Sequence, residues 1–306
     1  MRAAVPLPLP LRRTATLAVA GLLFGSLVAA SGEPSTNYPL SAASSREWTS
    51  EGTRSQLLEA LNAERLRHGL LPLRAQAELR NAAQGHADYL HRHAEVSHLQ
   101  RNGKLGFTGV RPLQRARAAG YPVGAANEVA ELFVVGLAQV EAALAQLLSG
   151  PYHRHFLLWA SASEVGIGLS AQPGLVLSLG APSPHPAPGP NALLWPAPGT
   201  LGVPPIACCE RPRPAGLDEF GMPVSVQVPP GLRLRVTQFD LLDAEGQRVE
   251  TRLLDTNSDE HLRLNPHVAY LLPMQALRPA HTYRAVLRAS SAAGSIERDW
   301  QFTTAH

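Results

Sequence analysis

Two histidines and one glutamate, spread over three distant segments, are the residues of this 306-residue chain whose types best suit chemistry. His98 follows Ser97, Glu128 follows Asn127, and His153 comes just after a Gly-Pro break. Neutral imidazole is a good Zn²⁺ ligand, and a carboxylate can ligate the ion or hold a histidine in the required tautomer. The same groups can polarise water without a metal, or form a hydrogen-bonded polar core. A metal site, an acid–base site and a structural cluster are therefore all open.

Ordered motifs frame these residues. An Asn-x-x-Arg-x-x-x-Gly pattern runs from Asn62 to Gly69, Arg115–Tyr121 reads Arg-Ala-Arg-Ala-Ala-Gly-Tyr, and Glu164–Gly168 reads Glu-Val-Gly-Ile-Gly. From about Ser55 to about Leu179 the chain thus resembles the CAP superfamily, the cysteine-rich secretory, antigen 5 and pathogenesis-related proteins, in its compact bacterial form. The family's Gly-Glu-Asn motif is Asn-Glu-Val here, and Glu141 is the nearest candidate for a second glutamate.

The resemblance implies a fold and a cleft. The fold is a three-layer α-β-α sandwich, and the cleft holds His98, Glu128 and His153, with Glu164 at its edge. In that cleft we expect His98 and His153 to be the ligands if the protein binds Zn²⁺. Some members of the family are reported to bind lipids or sterols, and proteolysis has been proposed for others. The fold implies no uniform activity.

Hydrophobic periodicity places these residues on four helices and a pair of strands. It predicts helices over 54–68, 77–93, 111–119 and 137–148, and strands over 164–169 and 175–179 around a Pro-Gly turn. His86 falls on the packed side of the second helix, and the gaps to His91 and His93 match no zincin motif. We expect Asn62 and Arg65 to tie the first helix to neighbouring backbone.

The chain divides into five segments by composition. Beyond a Pro-rich stretch the periodicity changes to two, as in Val224, Val226 and Val228, and the ending from Tyr283 to Thr304 resembles bacterial Ig-like domains. The predicted fold class is therefore α+β, a CAP-like sandwich followed by an all-β Ig-like sandwich. The predicted segments are a signal peptide (1–30), a flexible lead-in (31–50), the CAP-like domain (51–181), a Pro-rich linker (182–205) and the Ig-like domain (206–306).

The first 30 residues indicate export. Arg2, Arg12 and Arg13 precede an uncharged run that ends in Val28-Ala29-Ala30, which is typical of a cleaved leader, although an uncleaved anchor stays open. This segment carries three of the 27 basic residues and none of the 24 acidic ones, so the remaining chain has a formal net charge of zero. The sequence pI near 9.1 therefore gives no support to nucleic-acid binding. We expect a secreted, periplasmic or envelope-associated protein with no stable membrane span after cleavage.

The only two cysteines, Cys208 and Cys209, are adjacent. Neighbouring Cα atoms lie closer than disulfides usually require, so free thiols, a bond between two chains and a strained vicinal bond all stay open.

The pattern favours a binding protein over an enzyme. No phosphate-binding loop, nucleophile elbow or cysteine occurs in the first domain. We expect a non-enzymatic module that binds a small molecule, a lipid or a cell-envelope component, with an optional divalent metal. The alternative is a metal-assisted or acid–base hydrolase of peptide or envelope material, with Glu128 as its base.

Overall fold

The computed structural model describes residues 47–122, 128–136, 139–171, 174–182 and 190–306. The predicted signal peptide and most of the predicted lead-in fall outside these residues. Within the described part, no helix is both long and apolar enough to cross a bilayer.

The N-terminal half is a three-layer α-β-α sandwich, as predicted. Its four-stranded sheet has the order β1-β3-β4-β2, with β1 parallel to β3 and the other pairs antiparallel. The helices are α1 (Glu51–Arg67), α2 (Ala77–His93), α3 (Pro112–Ala118), α4 (Val140–Ser149) and α5 (Pro151–Leu157), and the strands are β1 (Arg74–Ala75), β2 (Glu128–Val135), β3 (Glu164–Ser170) and β4 (Gly174–Ala181).

Three described elements of this part were not predicted: strand β1, which has only two residues, strand β2 and helix α5. Helix α5 has seven residues, too few to show a helical period, and it starts with Pro151 at its first position. The sequence of strand β2 has two charged residues, Glu128 and Glu131, among apolar ones, so it shows neither a continuous apolar run nor a strict alternation.

Close contact between α2 and the sheet requires the glycines of the Glu-Val-Gly-Ile-Gly motif. A Cβ on Gly166 would lie 2.0 Å from the backbone carbon of Leu79, and one on Gly168 would lie 2.3 Å from that of Ala83. The helix backbone therefore packs directly on β3 at these two positions.

Helix α1 is tied to neighbouring backbone by the two residues that the sequence analysis selected. The guanidinium of Arg65 is fully buried and donates to the carbonyls of Leu157, Trp159 and Ala162 at 3.0–3.1 Å. Asn62 exchanges two hydrogen bonds with the backbone of Leu73, so the structural roles predicted for Asn62 and Arg65 are confirmed.

The C-terminal part is all β and forms a β-sandwich. One sheet has the order β10-β11-β8-β5, a second the order β13-β12-β9, and β6 pairs with β7. One hydrophobic cluster includes Val226 and Leu271 from the first sheet and Leu287 and Phe302 from the second. The strands are β5 (Leu193–Trp195), β6 (Ile206–Cys208), β7 (Glu219–Gly221), β8 (Val224–Gln227), β9 (Arg235–Leu242), β10 (Thr251–Leu254), β11 (Val268–Pro273), β12 (Thr282–Ser291) and β13 (Gly294–Thr303).

Part of the stretch that we predicted as a linker belongs to this sandwich. Strand β5 lies within 182–205, pairs with β8 and is buried along its length. Its Leu-Leu-Trp sequence has large apolar side chains whose burial stabilises the sandwich, and the Pro-x-Pro repeats before it lack such side chains. The other boundaries of the five segments stay predictions.

Cys208 and Cys209 form a disulfide with each other.

Candidate functional site

The buried carboxylate of Glu131, on β2, lies at the centre of a cluster of polar side chains on one face of the sheet. Both oxygens of Glu131 lie 2.7 Å from Nη2 of Arg115, which donates to them. His86 Nε2 is 3.4 Å, and His98 Nδ1 3.5 Å, from Glu131 Oε1. Of these four side chains only that of His98 reaches solvent, with 39% of its area exposed. The cluster is therefore a buried ion pair with one imidazole at the surface.

His86 is held as a neutral imidazole. The amide of Gln100 lies 3.1 Å from its Nδ1, and because Gln100 Oε1 accepts from the backbone of Thr108, the amide nitrogen is the donor. Nε2 therefore carries the proton and donates to the carbonyl of Ser97 at 3.0 Å. Burial lowers the pKa of His86 to about 4, although Glu131 opposes the shift.

Glu131 is ionised at neutral pH. Burial by itself would raise its pKa, but hydrogen bonding from His98 and the charge and hydrogen bonds of Arg115 outweigh burial, so that the pKa is lowered. A carboxylate with a lowered pKa, bonded through both oxygens to an arginine and shielded from solvent, is a poor general base.

His153 lies in a different environment, at the start of helix α5. Its Nδ1 is 2.8 Å from Oε1 of Glu210, a residue of the C-terminal part that is only 3% exposed. The other oxygen of Glu210 accepts from the backbone N–H of Tyr152 at 3.2 Å. Gly150 makes room for this carboxylate, because a Cβ there would lie 1.8 Å from Glu210 Oε2.

The rest of the Tyr152–His155 segment also contacts the β-sandwich. Arg154 is completely buried, and its guanidinium carbon lies 3.5 Å from the centre of the Trp195 ring. The polar contacts are Tyr152 Oη donating to Asp259 at 2.7 Å, Arg154 Nη1 donating to the Pro223 carbonyl at 2.7 Å, and the amide of Asn265 donating to His155 Nε2 at 2.9 Å. Helix α5 is thus one of the elements through which the α-β-α domain contacts the β-sandwich domain.

The structure does not bring His98 and His153 together. Alternation along β2 directs Glu131 and Phe133 toward α2, and the His98 ring packs on Phe133 at 4.5 Å between ring centres. Leu132 and its neighbours of the same parity point the other way, into a cluster that includes Leu157 of α5. The two imidazoles therefore belong to elements on opposite faces of β2, each beside its own carboxylate.

The remaining two predicted residues have separate outcomes. Glu164 accepts a hydrogen bond from Tyr121 Oη at 2.7 Å and one from Arg74 at 3.0 Å, so its contacts are with neither histidine. The side chain of Glu128 lies outside the described part of the chain. A role for Glu128 beside either imidazole stays a prediction.

A metal at His98 and His153 also stays a prediction. In the part of the chain that the structure describes, no group of three or more His, Cys, Asp or Glu residues is arranged to hold a metal ion. The residues that the sequence analysis missed are Glu131 and Glu210. A carboxylate within the apolar β2 segment was a usable signal for Glu131, whereas nothing in the local sequence marks Glu210.

The comparisons with known proteins concern the α-β-α domain. The model of the cysteine-rich secretory protein family, CAP, matches residues 58–176. A comparison with curated proteins found no match.

Two solved structures are similar to parts of the chain. An extracellular protein from Bacillus anthracis that contains an SCP domain is 20% identical with a TM-score of 0.37, and the match covers 41% of this chain and 39% of that one. An outer surface protein from Borrelia burgdorferi is 17% identical with a TM-score of 0.36, and the match covers 42% of this chain and 92% of that one. With the family match and the three-layer fold, residues 58–176 form a domain of the CAP family.

Proposed function

We propose that this chain is an exported, non-enzymatic binding protein whose CAP domain presents His98 to an amphipathic ligand, a lipid or another component of the cell envelope. The basic and then apolar segment at the N-terminus supports export to the periplasm, the envelope or the medium. A divalent metal at His98 is compatible with this role and is not required by it.

One observation carries the non-enzymatic part of the proposal, which is that an arginine occupies both oxygens of the buried carboxylate beside His98. Arg115 holds both oxygens of Glu131, and Glu210 lies against His153. A general base must be within reach of a substrate proton and free to accept it. Glu131 does not meet the second condition.

The surface around His98 supports binding of a ligand with polar and apolar parts. Val96 and Leu99, on either side of His98 in the sequence, are 65% and 48% exposed. In the described part of the chain, no residue hydrogen-bonds to Nε2 of His98. An imidazole between exposed aliphatic side chains offers one polar contact and an apolar surface.

The enzymatic alternative is tested by turnover. The full protein is incubated with casein and, separately, with peptidoglycan, beside Glu128→Gln. We expect no product from either protein. Product from the wild type that disappears in Glu128→Gln would overturn the non-enzymatic proposal.

Binding is tested by co-sedimentation with vesicles of phosphatidylcholine and phosphatidylglycerol. We expect His98→Ala to weaken binding about tenfold, since a hydrogen bond to a charged group contributes about 1.5–3 kcal/mol. His91→Ala is the matched control, because His91 is exposed on α2 and should bind as the wild type does. Equal binding by the two variants, or none by the wild type, would contradict the proposed role of His98.

A further inference from the structure

A cavity of about 190 Å³ lies where α1 and α4 meet the segment that leads into the β-sandwich. Its walls are largely apolar and include Leu148, Trp195, Val203 and Met222. An apolar cavity of about 150 Å³ is large enough to hold benzene. The space therefore suits an aromatic ring or a branched alkyl group with a small substituent.

Three side chains at the C-terminal end of α1 form the polar end of this cavity. Glu64 Oε1 accepts from Trp195 Nε1 at 3.1 Å and lies 3.0 Å from His68 Nε2, while Glu64 Oε2 is bonded to the guanidinium of Arg67. Glu64 and His68 are buried, whereas the Arg67 side chain is 56% exposed. The carboxylate of Glu64 is thus surrounded by hydrogen-bond donors, and the guanidinium of Arg67 lies at the rim of the cavity.

We propose that this cavity binds a small carboxylic acid with an aromatic or branched aliphatic body. The apolar body fills the space between Trp195 and Leu148, and the carboxylate lies at the rim against Arg67. Arginine has five N–H donors in a planar fork, so bonding to Glu64 leaves donors for a second carboxylate. A cationic ligand would meet the Arg67 charge, while Glu64 already has its partners.

The cavity does not include His98 or the residues around it, so ligand binding in the cavity and binding at His98 depend on different residues. Its walls come from both domains, so the isolated CAP domain would lack half of it. A failure of the carboxylate site would leave the vesicle-binding proposal standing, and the reverse also holds.

The test is isothermal titration calorimetry of the full protein with benzoate, benzyl alcohol and benzylamine. These probes share one ring and differ in charge. We expect saturable benzoate binding that is at least tenfold tighter than benzylamine binding. Equal affinity for benzoate and benzylamine, or no saturable binding of benzoate, would overturn the proposal.

Two pairs of variants locate the site. Arg67→Ala should weaken benzoate binding at least tenfold and remove the preference over benzyl alcohol, whereas Arg117→Ala, at an exposed arginine of α3, should not. Ala145→Trp, at the exposed edge of the cavity, should abolish binding, whereas Ala63→Trp, at an exposed position of α1 outside the lining, should not. All four positions are exposed, so folding is checked by their unfolding temperatures. Unchanged benzoate affinity in both Arg67→Ala and Ala145→Trp would refute the site.

Discussion

Replacement of Gly150 by alanine should uncouple helix α5 from the β-sandwich domain. The added Cβ would lie 1.8 Å from Oε2 of Glu210, so the carboxylate must leave its buried position. Gly150 has φ −80° and ψ 127°, which alanine adopts without strain. The whole effect should therefore come from the displaced carboxylate and not from the backbone.

The size of the effect follows from what Glu210 contacts. It accepts from the N–H of Tyr152 and lies against the ring of His153. Hydrogen bonds to charged groups contribute about 1.5–3 kcal/mol each, and rehydration of the carboxylate returns part of the loss. We expect Gly150→Ala to lower the free energy of unfolding by about 2–4 kcal/mol, and the Tm by roughly 4–16 °C.

A double-mutant cycle separates this mechanism from a general packing defect. Thermal and urea unfolding are followed by circular dichroism for the wild type, Gly150→Ala, Glu210→Ala and the double variant. In the Glu210→Ala background the glycine substitution should be neutral, or stabilising by about 0.4–1 kcal/mol, because alanine restricts the unfolded chain. The same loss of stability in both backgrounds, or no loss in the wild type, would refute the reasoning.

Three further predictions concern the two faces of the sheet and the docking helix. Arg115→Met should lower the free energy of unfolding by about 3–5 kcal/mol in urea titrations, because it leaves the charge of Glu131 buried without its arginine partner; a change below about 1 kcal/mol would contradict this. His155 has its pKa lowered to about 3 by burial and by the neighbouring histidine, so stability should be complete above pH 6.5 and decrease as the pH falls toward 3. In His155→Gln the slope of the free energy of unfolding against pH should be shallower by about 1.4 kcal/mol per pH unit, and an unchanged slope would argue against a neutral buried imidazole. Gly166→Ala should destabilise by about 3 kcal/mol or more, because its Cβ meets the α2 backbone, whereas Gly85→Ala within α2, which has space, should stabilise by about 0.5–1 kcal/mol; similar effects at the two sites in thermal unfolding would contradict the close contact.

Local pattern determined much of the α-β-α domain from the sequence alone. Helix α2 has the predicted bounds, and the structural roles of Asn62 and Arg65 were predicted correctly. These residues belong to short motifs whose spacing can be read along the chain, and some of them, such as Gly166, are backbone positions that accept only glycine. Such residues can be identified from the sequence without knowing which residues contact them in the folded protein.

Only the tertiary structure decided which groups share an environment. The resemblance to the CAP family implied one cleft for His98 and His153, but the alternation of side chains along β2 separates their elements to opposite faces of the sheet. The actual partners are Glu131, on a strand that was not predicted, and Glu210, 57 residues beyond His153 in the chain. The first contact depends on how the elements of one domain pack and the second on how two domains dock, and neither can be predicted from composition or spacing. His98 and His153 could therefore be selected from the sequence as residues capable of chemistry. Their partners follow only from packing, which places Glu131 beside His98 and Glu210 beside His153.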